Sequence, residues 1–233
     1  MKQPHMLKYF ISFCFALTAL SGFSQADVKK DTIEYTSAYG LRIGVDISKP
    51  IMGMLDSNSS GIEFIADYRI AKNWYVAAEF GQQEETTKED YTNSTAKGTF
   101  IKVGINYNAY QNWLDMTNEI YVGVRYGTSL FDQTLNSYTS NTGSEYFTAN
   151  PITTPVTSTG LSAHWTEFVM GLKVETFKNL YLGFGFSYKI MLSLEHPKNF
   201  KTLYVPGFNR VFETETGFGF NYTISYTIPF VNK

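Results

Sequence analysis

Between Phe218 and Phe230 the chain alternates strictly. Phe218, Phe220, Tyr222, Ile224, Tyr226, Ile228 and Phe230 are large and apolar or aromatic, while Gly219, Asn221, Thr223, Ser225 and Thr227 between them are small or polar. A period of two is the period of a strand, whose successive side chains point to opposite faces. Strands of soluble domains usually run to about 5–6 residues. This one is long enough to cross a bilayer, for which a tilted strand needs roughly 9–11 residues.

The same alternation recurs along the chain. Tyr39, Leu41, Ile43, Val45 and Ile47 oppose Gly40, Arg42, Gly44 and Asp46. Ile62 to Ile70 opposes Glu63, Ile65, Asp67 and Arg69, and Trp74 to Phe80 opposes Tyr75, Ala77, Glu79 and Gly81. Ile101 to Tyr107 alternates with Phe100, Lys102, Gly104 and Asn106, and Ile120 to Tyr126 with Glu119, Tyr121, Gly123, Arg125 and Gly127. Phe168 to Val174 alternates with Glu167, Val169, Gly171, Lys173 and Glu175, and Leu180 to Leu192 with Tyr181, Gly183, Gly185, Ser187 and Lys189. With the terminal segment these make eight strands, an even number. Lys72-Asn73, Asn108 to Thr117 and Lys178-Asn179 are the shorter connections at one end; at the other, Pro50–Ser60, Gln82–Gly98, Thr128–Ala163 and Glu195–Val211 read as loops. The edges of Thr128–Ala163 could also extend the flanking strands.

Sorting the residues by face gives the main constraint. No Asp, Glu, Lys or Arg falls on the apolar faces, whereas the opposite faces carry Arg42, Asp46, Glu63, Asp67, Arg69, Glu79, Lys102, Glu119, Arg125, Glu167, Lys173, Glu175 and Lys189. A basic side chain against lipid at mid-membrane costs roughly 2–4 kcal/mol, so such a set on the lipid side would exceed the ~5–15 kcal/mol a fold has to spare. The charged faces therefore line a closed interior. Eight strands leave an interior just wide enough for side chains to fill, and buried charges there must be paired. The expectation is an all-β, eight-stranded antiparallel up-and-down transmembrane barrel whose lumen is filled by ion pairs, with no open pore. The glycines of the charged faces leave room for long side chains.

The remaining sequence sets the compartment. Lys2 and Lys8 precede the apolar run Tyr9–Leu20, followed by small residues, which reads as a secretory signal peptide over 1–24. A polar periplasmic leader over 25–36 then precedes the barrel domain, 37–233. The single cysteine, Cys14, lies within that signal, so the mature chain has no thiol chemistry. With 19 basic against 21 acidic residues there is no electrostatic footprint for nucleic acid. No spacing implies a cofactor or a metal site. Trp74, Tyr75, Trp113, Trp165, Tyr188 and Tyr204 are expected in aromatic belts.

With short turns at one end and long loops at the other, these strands resemble the small eight-stranded outer-membrane barrels of the OmpA transmembrane domain and OmpX type. The resemblance implies residence in the Gram-negative outer membrane, with turns facing the periplasm and loops outside. The terminal strand resembles the C-terminal signal read by the barrel-assembly machinery, carried by Tyr222, Ile224, Tyr226, Ile228 and Phe230. Val231, Asn232 and Lys233 follow the last aromatic, where members of the family usually end on it, and Pro229 should loosen pairing at the rim.

A non-enzymatic role follows as the leading expectation: a structural, accessory or surface-interaction protein working through its long loops, Thr128–Ala163 above all. Its partners would be outer-membrane lipid or lipopolysaccharide, with Lys198, Lys201 and Arg210 near the phosphates, and a larger outer-membrane complex. Glu84, Glu85, Glu89 and Asp90 could hold divalent cations at the surface. One alternative is a lipid-modifying enzyme at the loop edge, with His164, Ser162 and Glu167 as its catalytic group. Another is a secreted lipocalin-like barrel, which would turn its apolar face inward around a ligand.

Overall fold

The computed structural model describes residues 38–112, 117–139, 151–198 and 200–232; the expected signal peptide, the leader and Trp113 lie outside them. Strands β1 (Ala38–Asp46), β2 (Ser59–Ala71), β3 (Trp74–Lys88), β4 (Thr92–Asn108), β5 (Glu119–Tyr138), β6 (Val156–Phe177), β7 (Leu180–Leu194) and β10 (Thr216–Asn232) form one barrel. A helix, α1 (Ser48–Leu55), follows β1, and a two-stranded ribbon, β8 (Tyr204–Val205) with β9 (Asn209–Arg210), lies between β7 and β10. Each barrel strand pairs antiparallel with its sequence neighbour, and β1 closes the ring on β10 from Ala38↔Asn232 to Asp46↔Thr223. The register shifts beside Pro229, which cannot supply a ladder donor.

The two faces point as the charge distribution requires. Phe220 is 60% and Ile224 36% exposed on the outer wall, whereas Arg42, Asp67, Arg125 and Lys173 are only 3–6% exposed inside. The lipocalin arrangement, apolar inside and charged outside, is thereby overturned. A continuous outer band of Ile, Val, Leu, Phe and Tyr is a surface for hydrocarbon rather than for water.

Matched residues across β3, β4, β5 and β6 show where that band ends. Val76, Ile105, Val124 and Phe168 share one outer row, and Phe80, Ile101, Thr128 and His164 a higher one. Above them come Gln82, Thr99, Leu130 and Ser162, then Glu84, Lys97 and Asp132, and then a row of four threonines, Thr86, Thr95, Thr134 and Thr157. The sheet thus continues past the apolar band as a polar crown. The expected loop at Gln82–Gly98 is instead the upper hairpin of β3 and β4, and the Thr128–Ala163 segment does extend its flanking strands, up to Tyr138 and from Val156.

The expected loop at Pro50–Ser60 also differs, because α1 occupies most of it. β1 has 9 residues, against 13 in β2 and 22 in β6. Continuing its alternation would turn Lys49 toward lipid and put Pro50, which lacks a donor, into the ladder. The chain coils instead, a conformation that satisfies its own backbone in an apolar medium. The Asp46 carboxylate marks the switch, accepting from Ser48 N at 2.9 Å and from Tyr222 N at 3.2 Å.

Candidate functional site

The lumen holds two linked sets of ion pairs, each built by side chains that alternation turns inward from different strands. In the lower set, Asp67 of β2 lies 3.2 Å from Arg42 Nε of β1 and also bonds Lys173 of β6, while the other arm of Arg42 meets Glu119 of β5. The Arg42 guanidinium lies over the Tyr181 ring at 4.6 Å and the Tyr75 ring at 5.6 Å. In the upper set, Lys102 Nζ sits 2.6 Å from both Glu63 and Glu79, Glu79 meets Arg125 at 3.2 Å, and Lys49 reaches Glu63 at 3.3 Å. Lys189 stands 3.8 Å from Glu167, which also accepts the Trp165 indole N–H at 2.7 Å. Arg69 and Glu175 stand at the turn end: Arg69 donates to Lys72 O at 3.1 Å, and Glu175 accepts from Asn179 N at 2.7 Å. Asp46 instead uses its carboxylate to accept from the backbone N–H groups of Ser48 and Tyr222.

Above the ions lies an apolar layer. Phe100, Phe131, Leu161, Ala163, Trp165 and Met191 face inward from β4 to β7, and Val205 and Phe208 descend onto them from the last loop. Lys189 Nζ donates to Gly207 O at 2.7 Å, Gly207 N donates to Gln83 Oε1 at 3.2 Å, and the Gln83 amide bonds the Tyr204 hydroxyl. The segment from Glu195 to Val211, expected as a polar loop, is therefore a stopper seated in the mouth. Its signal in the sequence is the short run Val205-Pro206-Gly207-Phe208, apolar and bent within polar surroundings; Gly207 supplies a φ of 83°. Burial pushes the Tyr204 phenol above its ordinary range, and the nearby Glu85 carboxylate pushes it the same way.

Several other expectations fall out differently. His164 and Ser162 face outward while Glu167 is 1% exposed inside, because residues three apart on a strand lie on opposite faces. The catalytic group proposed for the loop edge is split by the wall. The His164 ring meets the Tyr126 hydroxyl at 2.9 Å, and His196 accepts from Thr202 N at 3.2 Å. Arg210 pairs with Glu89 at 2.8 Å and Lys97 with Glu84 at 2.8 Å, so part of the acidic set is spent on partners. Among the described residues no group of three or more His, Cys, Asp or Glu is placed to hold a metal. Trp165 at 0% and Tyr75 and Tyr204 at 8% exposure are interior residues rather than belt residues, whereas Trp74 faces outward against Tyr107, 5.1 Å away. Lys49 is the ion-pair member that sequence patterning missed, since a basic residue between a strand and a proline carries no periodic signal.

No curated protein sequence matches the chain significantly. Among solved structures, the attachment invasion locus protein Ail of Yersinia pestis is similar at 12% identity over 82% of this chain and 98% of that one, with a TM-score of 0.42. Neisserial surface protein A, NspA, is similar at 12% identity over 84% of this chain and 100% of that one, with a TM-score of 0.43. The architecture itself, eight antiparallel strands closed into one barrel, rests on the strand pairing described above. A family model covers nearly the whole sequence, residues 6–233, and the chain belongs to the family that it defines, described as Domain of unknown function (DUF6048).

Proposed function

We propose that the protein is an integral outer-membrane barrel, not an enzyme, that acts at the cell surface as an accessory or interaction protein through its polar crown. The four-threonine row on the outer face of β3 to β6 is the observation that carries this reading. Thr86 and Thr95 hydroxyls lie 2.9 Å apart, Thr134 and Thr157 3.0 Å, and Asn136 Nδ2 donates to Thr95 at 2.8 Å. A regular sheet held clear of the lipid band presents a rigid array of hydroxyls at the ~4.7–4.9 Å strand spacing. Such an array suits a hydrogen-bonding partner, protein or glycan, better than an apolar one. The exposed Lys198 and Lys201 add positive charge beside it for lipopolysaccharide phosphates. The outward row Tyr222, Ile224, Tyr226, Ile228 and Phe230 of β10 serves the assembly machinery during insertion.

Membrane fractionation and surface labelling test the placement. Thr134→Cys should react with a membrane-impermeant maleimide on intact cells, and Val124→Cys should not. Recovery of the protein in the soluble fraction, or equal labelling of both positions, would refute it. For the interaction, a detergent pull-down with the tagged protein should lose a specific co-purifying partner when Thr95 and Thr134 are both changed to Lys. A partner set indifferent to that change would move the contact away from the crown.

A further inference from the structure

β1 stops part-way up the wall, leaving a gap whose cover differs in kind from the rest of the barrel. Above Thr223, β10 pairs only with β7, and above Glu63, β2 pairs only with β3. The gap opens at the upper edge of the apolar band: Phe218 and Phe220 of β10 face outward, 55% and 60% exposed, and Ile62 of β2, 44% exposed, lies in the row of Gln82 where the band gives way to the crown. α1 fills it. Ile51, Met52, Met54 and Leu55 of the helix face outward, with Met54 86% exposed, and complete the lipid-facing surface.

The panel is lightly attached. Elsewhere in the apolar band neighbouring strands are joined by backbone ladders, with local bulges. Among the described residues, α1 is tied to its neighbours by backbone bonds near its ends only, Ile47 N to Tyr222 O at 2.7 Å and Ser59 N to Asp56 O at 3.1 Å. Its inner side adds one ion pair, Lys49 to Glu63. The helix has 8 residues and includes Pro50 and Gly53, so it gains little stability of its own.

Behind it is a polar cavity of about 40 Å³, lined among others by Asp46, Lys49, Glu63, Lys189 and Asn221. That volume holds only a few waters, at ~10–15 Å³ each. Its charges balance with Lys49 present: Asp46, Glu63, Glu79 and Glu167 against Lys49, Lys102, Arg125 and Lys189, four to four. Moving α1 outward removes Lys49 and leaves four acids against three bases. The Lys49 ammonium lies 5.5 Å from the Phe100 ring centroid, a favourable cation–π distance. Asn221 Oδ1 is buried in the same cavity without a hydrogen-bond partner.

We propose that the gap between β2 and β10 is a lateral portal closed by α1, and that Glu63, Asn221 and the Phe100 ring behind it seat the primary ammonium of a membrane amphiphile. Lys49 fills the Glu63 and Phe100 part of that seat while the panel is shut, and Asn221 Oδ1 is left for the incoming ammonium. The acyl chains of the amphiphile stay in the bilayer beside Phe218 and Phe220, and its headgroup displaces the lysine. The proposal rests on the membrane placement argued above and adds a ligand class and a route of entry.

The test uses the purified full chain in detergent, titrated with short-chain phosphatidylethanolamine and, as controls, phosphatidylcholine and phosphatidylglycerol of the same chain length, with bound lipid counted by native mass spectrometry. Lys49→Met, which empties the seat, should tighten ethanolamine-lipid binding about tenfold, a difference of ~1.4 kcal/mol. Glu63→Gln added to it should abolish the gain. Choline and glycerol lipids should respond to neither change. A spin label at Met54→Cys in protein that keeps Lys49 provides a second readout, becoming more mobile with ethanolamine lipid and not with choline lipid. Unchanged affinity in Lys49→Met, a gain shared by the controls, or a label indifferent to headgroup would overturn the portal. Failure of the wild-type chain to co-sediment with vesicles, checked first, would instead overturn the membrane placement and the portal with it.

Discussion

Phe208 of the last loop meets Trp165 of β6 almost at right angles, their ring centroids 5.9 Å apart at 77°. Both side chains are 0% exposed, so the stopper is anchored by an aromatic contact above the ion pairs in addition to the Lys189 bond to Gly207 O. Replacing a buried Phe by Ala removes roughly 3–5 kcal/mol of packing, more than a seated loop holds in reserve. Phe208→Ala should therefore make the segment 195–211 sensitive to protease while the barrel keeps its heat-resistant mobility on gels. Planar-bilayer recordings should still show no stable conductance, because the ion pairs below continue to fill the lumen.

Lys102 is the centre of the upper ion set, with Glu63 and Glu79 each 2.6 Å away. Removing one partner of a buried ion pair leaves an uncompensated charge, at a cost of about 3–5 kcal/mol. Lys102→Met should lose that much in reversible urea unfolding from lipid vesicles. Lys97→Met is the control. Its pair with Glu84 has side chains 58% and 42% exposed, and surface pairs are worth ~0–1 kcal/mol.

What the sequence makes legible, and what it hides, follows from the solvent on each side of the wall. Between Val76 and Phe80 one face meets hydrocarbon and the other meets charge, so the alternation is unmistakable. Above Gln82 the contrast disappears: Thr86, Thr95 and Thr134 face water outside, while Ser94 and Gln133 are buried inside, and both sets are polar. The upper parts of β3 to β6 therefore read as loops, although their ladders run on through the bulges at Asn93/Ser94 and Phe131/Gln133. The lumen residues were recognisable because charge on one face of a membrane strand has nowhere else to go. Lys49 and the stopper were not, because a helix start and a folded-back loop carry no period of two.

The end of the lipid band gives a paired prediction on a single strand. Val124 belongs to an all-apolar row with Val76, Ile105 and Phe168, whereas Leu130, also outward, sits beside Thr99 and Ser162. Arginine costs roughly 2–4 kcal/mol at the midplane and ~0–1 near an interface. Val124→Arg should be destabilising by the larger amount and Leu130→Arg by the smaller, measured by unfolding from phospholipid vesicles. Equal costs would show that the band reaches higher than the row at Gln82.

Tyr204 should make seating of the stopper pH-dependent. Its phenol is held above the ordinary value by burial and then by Glu85, so the seated state favours the protonated form. Below about pH 10, the usual phenol value, the contribution is fully present. As pH rises further, the unseated loop ionises while the seated one does not, and seating weakens. Protease cleavage within 195–211 should accelerate as pH rises above about 10, and Tyr204→Phe should flatten the dependence.

Gly127 shows what the glycines of the charged faces accommodate. A Cβ there would lie 2.3 Å from Cε2 and 2.5 Å from Cζ2 of Trp165, so the space serves an aromatic ring of the mouth rather than an arginine or lysine of the ion network. Gly81 beside Phe100 and Gly171 beside Tyr121 follow the same rule, whereas Gly104 makes room at Arg125. The indole cannot easily yield, because Glu167 holds its N–H at 2.7 Å and Phe208 packs on its ring. Gly127→Ala should therefore cost ~1–3 kcal/mol by overpacking and shift the buried tryptophan emission to the red as the stopper loosens. Gly160→Ala separates crowding from strain: its φ is +73°, but nothing lies within 4 Å of its would-be Cβ, so it should cost about 1–2 kcal/mol from the left-handed backbone alone and leave the emission of Trp165 unchanged.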